Sequence, residues 1–198
     1  MKIKSILLLF ATFFFAASQS KAQSLQQILD AILVEANKAI NAKPSLVNLA
    51  VKTIEVNSSS KAYFGNGKTR EVFKLELPKG TKSWYYRVTV LDINSSYQYQ
   101  ENETFFHLLS NRKNMDIYAP TNKGVDFFIL GHSGDVSSFL QTGNSNFRFY
   151  QNCSMVGMNS FTGTCELNQE NLWIGIRNPN TTSGLKVIVE VVSLGLYE

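Results

Sequence analysis

Asn171 to Leu194 reads NLWIGIRNPNTTSGLKVIVEVVSL. Leu185, Val187, Val189 and Val191 alternate with Lys186, Ile188 and Glu190, so one face is apolar and the other mixed. That is the period-two signature of a half-buried strand rich in β-branched residues. The run Leu172 to Arg177 brings Trp173, Ile174 and Ile176. Between the two, Asn178-Pro179-Asn180-Thr181-Thr182-Ser183-Gly184 is turn chemistry: Pro fixes φ, and Asn and Gly accept left-handed geometry. The stretch predicts a closing hairpin of an antiparallel β-sandwich, onto which the earlier strands pair.

The chain ahead of it fits that reading from Pro44 onward. Leu46 to Val56 is an apolar strand candidate. Lys61 to Phe64, Gly65-Asn66-Gly67 and Arg70 to Leu77 read as a hairpin, with Phe73, Leu75 and Leu77 on one side of the second arm. In SWYYRVTVL, Trp84, Tyr86, Val88 and Val90 share one face, with Tyr85, Arg87, Thr89 and Leu91 opposite. Val125 to Gly131 is a strong strand, and Asn146 to Gln151 alternates again through Phe147 and Phe149. Phe105 to Leu109 and Asp135 to Leu140 read as short strands or helical turns, and Met115 to Tyr118 as a short strand. About eight to ten short strands separated by Gly, Asn and Ser turns indicate a mostly β, antiparallel sandwich or jelly-roll-like domain over 44–198.

Two segments precede it. Lys2 and Lys4 lead an apolar run from Ile6 to Ala17, and Ser20-Lys21-Ala22 offers small residues to a signal peptidase. This is an export signal over 1–22, cut before Gln23. Residues 23–43 hold one amphipathic α-helix, Ser24 to Asn41, with Leu25, Ile28, Leu29, Ile32, Leu33, Ala36 and Ile40 on one face. It either lies against the sheet or docks on a partner. No later stretch is long and apolar enough to span a bilayer. Three of the 19 basic residues fall in the signal and all 15 acids fall after it, leaving sixteen bases against fifteen acids, a net charge of +1. The basic character thus belongs to targeting and gives no support for nucleic-acid binding. The expected location is secreted or periplasmic, where Cys153 and Cys165 pair as a disulfide. Closing so short a loop contributes roughly 3 kcal/mol.

The chemistry-bearing residues are few. Gly67-Lys68-Thr69 looks like the end of a phosphate loop, but Ala62 stands where that motif needs glycine and a strand follows where it needs a helix. His132-Ser133 is not the G-x-S-x-G elbow, and with His107 the only other histidine no three-histidine zinc site is available. Asp116, Asp126 and Asp135 surround one strand and its loops, and calcium, which takes oxygen ligands, is the metal they suggest. Tyr85 with Arg87, and Tyr150 with Arg148, offer a flat apolar face plus a donor, as ligand-binding surfaces for sugars or proteins do. The alternative is that Tyr85 and Tyr150 pack within the second face of the sandwich. Asn57, Asn94, Asn102, Asn152 and Asn180 each begin an N-x-Ser/Thr triplet, usually a surface loop.

The strand-and-turn pattern of LPKGTKSWYYRVTV, VDFFIL and NLWIGIRNPNTTSGLKVIVEVVSL resembles exported bacterial accessory β-sandwich domains of the pre-peptidase C-terminal type. The resemblance covers roughly Phe73 to Leu194 and implies a fold, without site residues. The signal ending Lys-Ala-Gln is similar to those of bacterial cell-envelope proteins. The expected function is a non-catalytic binding module of the envelope or exterior, for a glycan, a surface component or a protein partner. The alternatives are a secreted hydrolase whose site is assembled from distant strands, and a structural subunit docking through its N-terminal helix.

Overall fold

The computed structural model describes residues 45–65, 67–113, 118–141, 143, 145–169 and 171–197. The signal and the amphipathic helix expected over 1–43 lie outside the described residues, as do residues 115–117 and therefore Asp116. The described chain contains β1 (Ser45–Val56), α1 (Ser59–Tyr63), β2 (Arg70–Leu75), β3 (Thr81–Asp92), α2 (Phe105–Ser110), β4 (Val125–Leu130), α3 (Ser133–Leu140), β5 (Met155–Met158), β6 (Ser160–Cys165), β7 (Leu172–Arg177) and β8 (Leu185–Gly195). Two short 3-10 helices, Glu101–Glu103 and Gln151–Cys153, complete it.

The strands form two four-stranded sheets, β1-β8-β3-β6 and β2-β7-β4-β5. All their pairings are antiparallel. Successive strands change sheet, except β4 and β5, which are neighbours in the second. This is the jelly-roll order, a form of β-sandwich.

That order corrects the reading of 171–194. Its two strands are not a hairpin: β7 is a central strand of one sheet and β8 a central strand of the other. The reason is apolar geometry. Leu172, Ile174 and Ile176 of β7 belong to the same buried cluster as Leu185, Val187, Val189 and Val191 of β8. Facing one another across the sandwich lets each set bury the other. The turn at 178–184 has enough residues to cross the roughly 10 Å between packed sheets. Earlier strands do pair onto both arms: β1 and β3 flank β8, and β2 and β4 flank β7.

The core alternation of β3 is as read, with Trp84, Tyr86, Val88 and Val90 inside. Each fully buried aliphatic side chain of this kind is worth roughly 1.5–3 kcal/mol. The outer faces are not bare, however. Tyr85, Val192 and Leu194 of the first sheet pack under Phe105 and Leu109 of α2. Phe128 and Leu130 of the second pack under Phe139 of α3, with Phe147, Phe149 and Trp173 against them. The helices therefore serve as lids, which settles Phe105 to Leu109 and Asp135 to Leu140 as helical.

Two further expectations are corrected. Lys61 to Phe64 is not a strand arm. It falls in α1 and its C-cap, where the Ser58 hydroxyl accepts from the Lys61 N–H at 3.3 Å and starts the helix. Asn146 to Tyr150 joins no sheet. Its alternation instead turns Phe147 and Phe149 onto Phe128, at centroid distances of 5.2 and 5.0 Å. Cys153 and Cys165 are disulfide-bonded, with Cα atoms 5.2 Å apart. Among the described residues no helix is long and apolar enough to cross a membrane.

Candidate functional site

A groove of about 840 Å³ lies beside the crossover turn. Its walls come from Ser59, Ala62 and Tyr63 of α1, from Gly67 to Arg70, from Leu140 and Gly143, and from Arg177, Asn178 and Pro179. The crossover turn builds much of this frame. Buried Asn178 donates through Nδ2 to the carbonyls of Val56, Asn57 and Ser183 at 3.2, 3.2 and 2.8 Å. Its Oδ1 accepts from the Asn180 N–H at 2.9 Å and from Asn180 Nδ2 at 2.6 Å. One side chain thus ties the end of β1 to the turn that links the sheets.

The same turn seats α1. The N–H groups of Ser59 and Ser60 donate to the carbonyls of Asn180 and Thr181, each at 3.1 Å, and the Ser60 hydroxyl also donates to Thr181 O. A helix this short needs such anchors, because its own hydrogen bonds do not carry it. The anchoring leaves Tyr63 85% and Phe64 77% exposed, their rings edge to face at 5.5 Å. Gly67 then returns the chain to β2. Its φ is +108°, and a Cβ there would lie 2.0 Å from Asn57 Nδ2, so only glycine fits. Lys68 and Thr69 of the discounted phosphate-loop motif fall on the groove wall, followed by a strand as read.

The floor holds a row of charge. Arg70 stands opposite Arg177 across β2 and β7, and Arg177 stands opposite Asp126 across β7 and β4. Arg177 Nε donates to Asp126 Oδ2 at 2.7 Å, and the Gly157 N–H donates to Asp126 Oδ1 at 2.8 Å. Arg177 also lies over the Phe128 ring, 5.3 Å from its centroid. Arg70 Nη1 donates to the carbonyls of Phe139 and Gln141 at 2.5 and 2.9 Å. Burial, and then the neighbouring charge of Arg177, pull the Arg70 pKa down, against the opposing effect of Asp126.

A smaller pocket, about 180 Å³, lies among Gly131, His132, Asp135, Arg148, Phe149 and Tyr150. It unites two of the sugar-or-protein candidates with one of the acids. Asp135 Oδ1 accepts from the Arg148 N–H at 3.0 Å and from Arg148 Nε at 3.3 Å. The Arg148 backbone bond, ahead of its side-chain bond and charge, holds the Asp135 carboxyl below the usual carboxylate range, although burial opposes this. Tyr150 OH donates to Gln169 Oε1 at 2.8 Å. Gly131 makes room for that tyrosine, since a Cβ there would lie 2.6 Å from its hydroxyl.

The other sequence candidates are corrected. Tyr85 is buried under α2, with Ser83 Oγ donating to its hydroxyl at 3.2 Å. Arg87 is buried too: Nε donates to Glu190 Oε2 at 2.5 Å and Nη2 to Glu103 O at 2.8 Å. The Tyr99 ring covers its guanidinium at 3.8 Å. Both residues sit on the outer face of β3, as the alternation requires, but α2 and the preceding loop cover that face. Of the expected calcium ligands, Asp126 and Asp135 are described. Each carboxylate already has an arginine, and among the described residues no three His, Cys, Asp or Glu side chains stand together as a metal site. The sequence reading missed Tyr63, Arg70 and Arg177. Arginines at the ends of two apolar runs were the available signal, but without the strand order nothing joined them. No protein-family model matches the chain, and no curated protein matches it.

Proposed function

We propose that the protein is an exported, non-catalytic β-sandwich module that binds a glycan of the cell envelope or exterior in the groove beside the crossover turn. The supporting observation is the pairing of a broad groove of about 840 Å³ with a tyrosine 85% exposed on its wall. A flat exposed ring offers a sugar an apolar face plus a hydroxyl. The expected export signal and the disulfide support a location outside the cytoplasm in this reading. The resemblance to accessory β-sandwich domains agrees with a carrier of binding rather than of chemistry.

The test is affinity retardation of the purified protein on soluble and insoluble polysaccharides, with calcium and with chelator. Retardation on a glycan that weakens in Tyr63→Ala is the expected result. Chelator should leave it unchanged, because Asp126 and Asp135 are arginine-paired. Absence of retardation on every polysaccharide would sink the glycan reading and favour a protein partner.

A further inference from the structure

Among the described residues, the groove floor gathers cations. Arg70, Arg177 and Asp126 occupy one row across three strands, two guanidiniums to one carboxylate. Like charges directly opposite on a sheet repel. Asp126 is almost fully buried, and both of its oxygens are engaged, by Arg177 Nε and the Gly157 N–H. Lys68 adds a further cation at the wall, loosely opposed by Glu71 at 3.8 Å with both side chains exposed. Among the described residues lining the groove none is acidic.

Arg177 is fixed in a particular way. Asp126 holds it by Nε and Phe128 lies against its plane, so its orientation is set without its terminal nitrogens. Neither Nη group has a hydrogen-bond partner among the described residues, and the side chain remains 29% exposed. Two parallel N–H groups held in a plane form the fork that a carboxylate accepts bidentately. Most of the ordering entropy of that fork is spent in folding, which favours a ligand that uses it.

Resting on the glycan reading above, we infer that the groove selects an acidic saccharide, with the carboxylate of a uronic-acid unit on the Nη edge of Arg177 and a sugar ring against Tyr63. The ligand carboxylate meets the guanidinium edge that no described residue engages. A sulfated sugar presents related oxygen geometry, so the experiment separates the two anions.

Titration calorimetry of the full protein would use oligomers of galacturonate, guluronate and glucuronate, each beside its methyl ester, with dextran sulfate and dextran as further arms. At least one uronate should bind, its methyl ester should bind about tenfold or more weakly, and added salt should weaken the uronate alone. Arg177→Lys keeps the charge but removes the fork, and should lower affinity for the uronate about tenfold with little effect on its ester. Tyr63→Ala, at an exposed position that folding does not need, should weaken acid and ester alike by about the same factor. Equal binding of acid and ester would overturn the acidic selection and leave the glycan site standing. Binding of dextran sulfate without any uronate would overturn the carboxylate in favour of sulfate. No binding in any arm would overturn both readings. Uronate binding unaffected by both substitutions would remove the groove as its site.

Discussion

Each sheet carries an arginine opposite an acid on its outer face, and the two pairs have opposite fates. In the first sheet Arg87 faces Glu190 across β3 and β8, with side chains 3% and 2% exposed. Every part of that pair is occupied. Glu190 Oε1 accepts from the Phe105 N–H at 2.8 Å, Glu103 O accepts from Arg87 Nη2, and Tyr99 lies over the guanidinium. In the second sheet Arg177 faces Asp126, but Arg70 stands on its other side, and among the described residues neither Nη group of Arg177 has a hydrogen-bond partner. One acid per arginine under a lid makes a structural closure. One acid between two arginines beside a groove leaves Arg177 29% exposed. Residue type does not separate them; the neighbours across the row do.

The largest test of this contrast is Glu190→Gln. It leaves the Arg87 charge buried without its counter-ion, and should cost roughly 3–5 kcal/mol of unfolding free energy in urea titration. Replacing the pair together, as Arg87→Met with Glu190→Leu, should recover most of that loss. Next, Arg177→Gln should cost only about 1–2 kcal/mol, because it also relieves the opposition to Arg70. An Arg177→Gln loss as large as that of Glu190→Gln would erase the distinction between the two pairs.

A third arginine–acid pair, Arg148 and Asp135, sharpens the comparison through pH. Arg148 is mostly exposed while Asp135 is not, so the carboxylate carries the dependence. Its depressed pKa means that the stabilisation is present above the unfolded-state value and lost as pH falls through the folded one. Thermal melting should therefore decline at pH below the ordinary carboxylate range, and Asp135→Asn should flatten that decline. If both proteins melt alike across acid pH, the pair contributes nothing.

The smallest effect concerns the lid over Arg87. Burial raises the Tyr99 pKa despite the neighbouring arginine, and raises that of Tyr97 to about 12 with help from Tyr99 and Glu103. Stability linked to these neutral phenols is complete below the unfolded value near pH ~10 and is lost as pH rises through the folded values. Phenolate absorbance should lag behind that of free tyrosine as pH rises, and the lag should shrink in Tyr99→Leu. A titration of the mutant that superimposes on the native one would remove Tyr97 and Tyr99 from the lid.

Much of the sandwich was legible from periodicity. Trp84, Tyr86, Val88 and Val90, and the odd-numbered residues of β8 from Leu185 to Val191, lie in the core as their alternation requires. Alternation reports which residues share a face, however, and is silent on which sheet a strand joins. Hence 171–194 gave two correct strands and a wrong connection. It also cannot tell a face left to solvent from one covered by a helix, which is why Tyr85 and Arg87 read as a binding surface. Asp126 read as a metal ligand because its partner lies 51 residues away, at Arg177. Arg148, Tyr150 and Asp135 did come together, since they are close in sequence and flank one strand. The groove was invisible, because it is made by a turn meeting α1, and α1 had been read as a strand.

The placement of β7 and β8 also sets the order in which the molecule can exist. Neither β1 nor β3 has the other as a neighbour; both wait for β8. Likewise β2 and β4 meet only through β7. A nascent chain that stops short of residue 172 lacks one of the two inner strands of each sheet, so β1 and β2 have no strand to pair with and the sandwich cannot close. The β3–β6 and β4–β5 pairs can form beforehand, but the two sheets are complete only when the final two strands arrive.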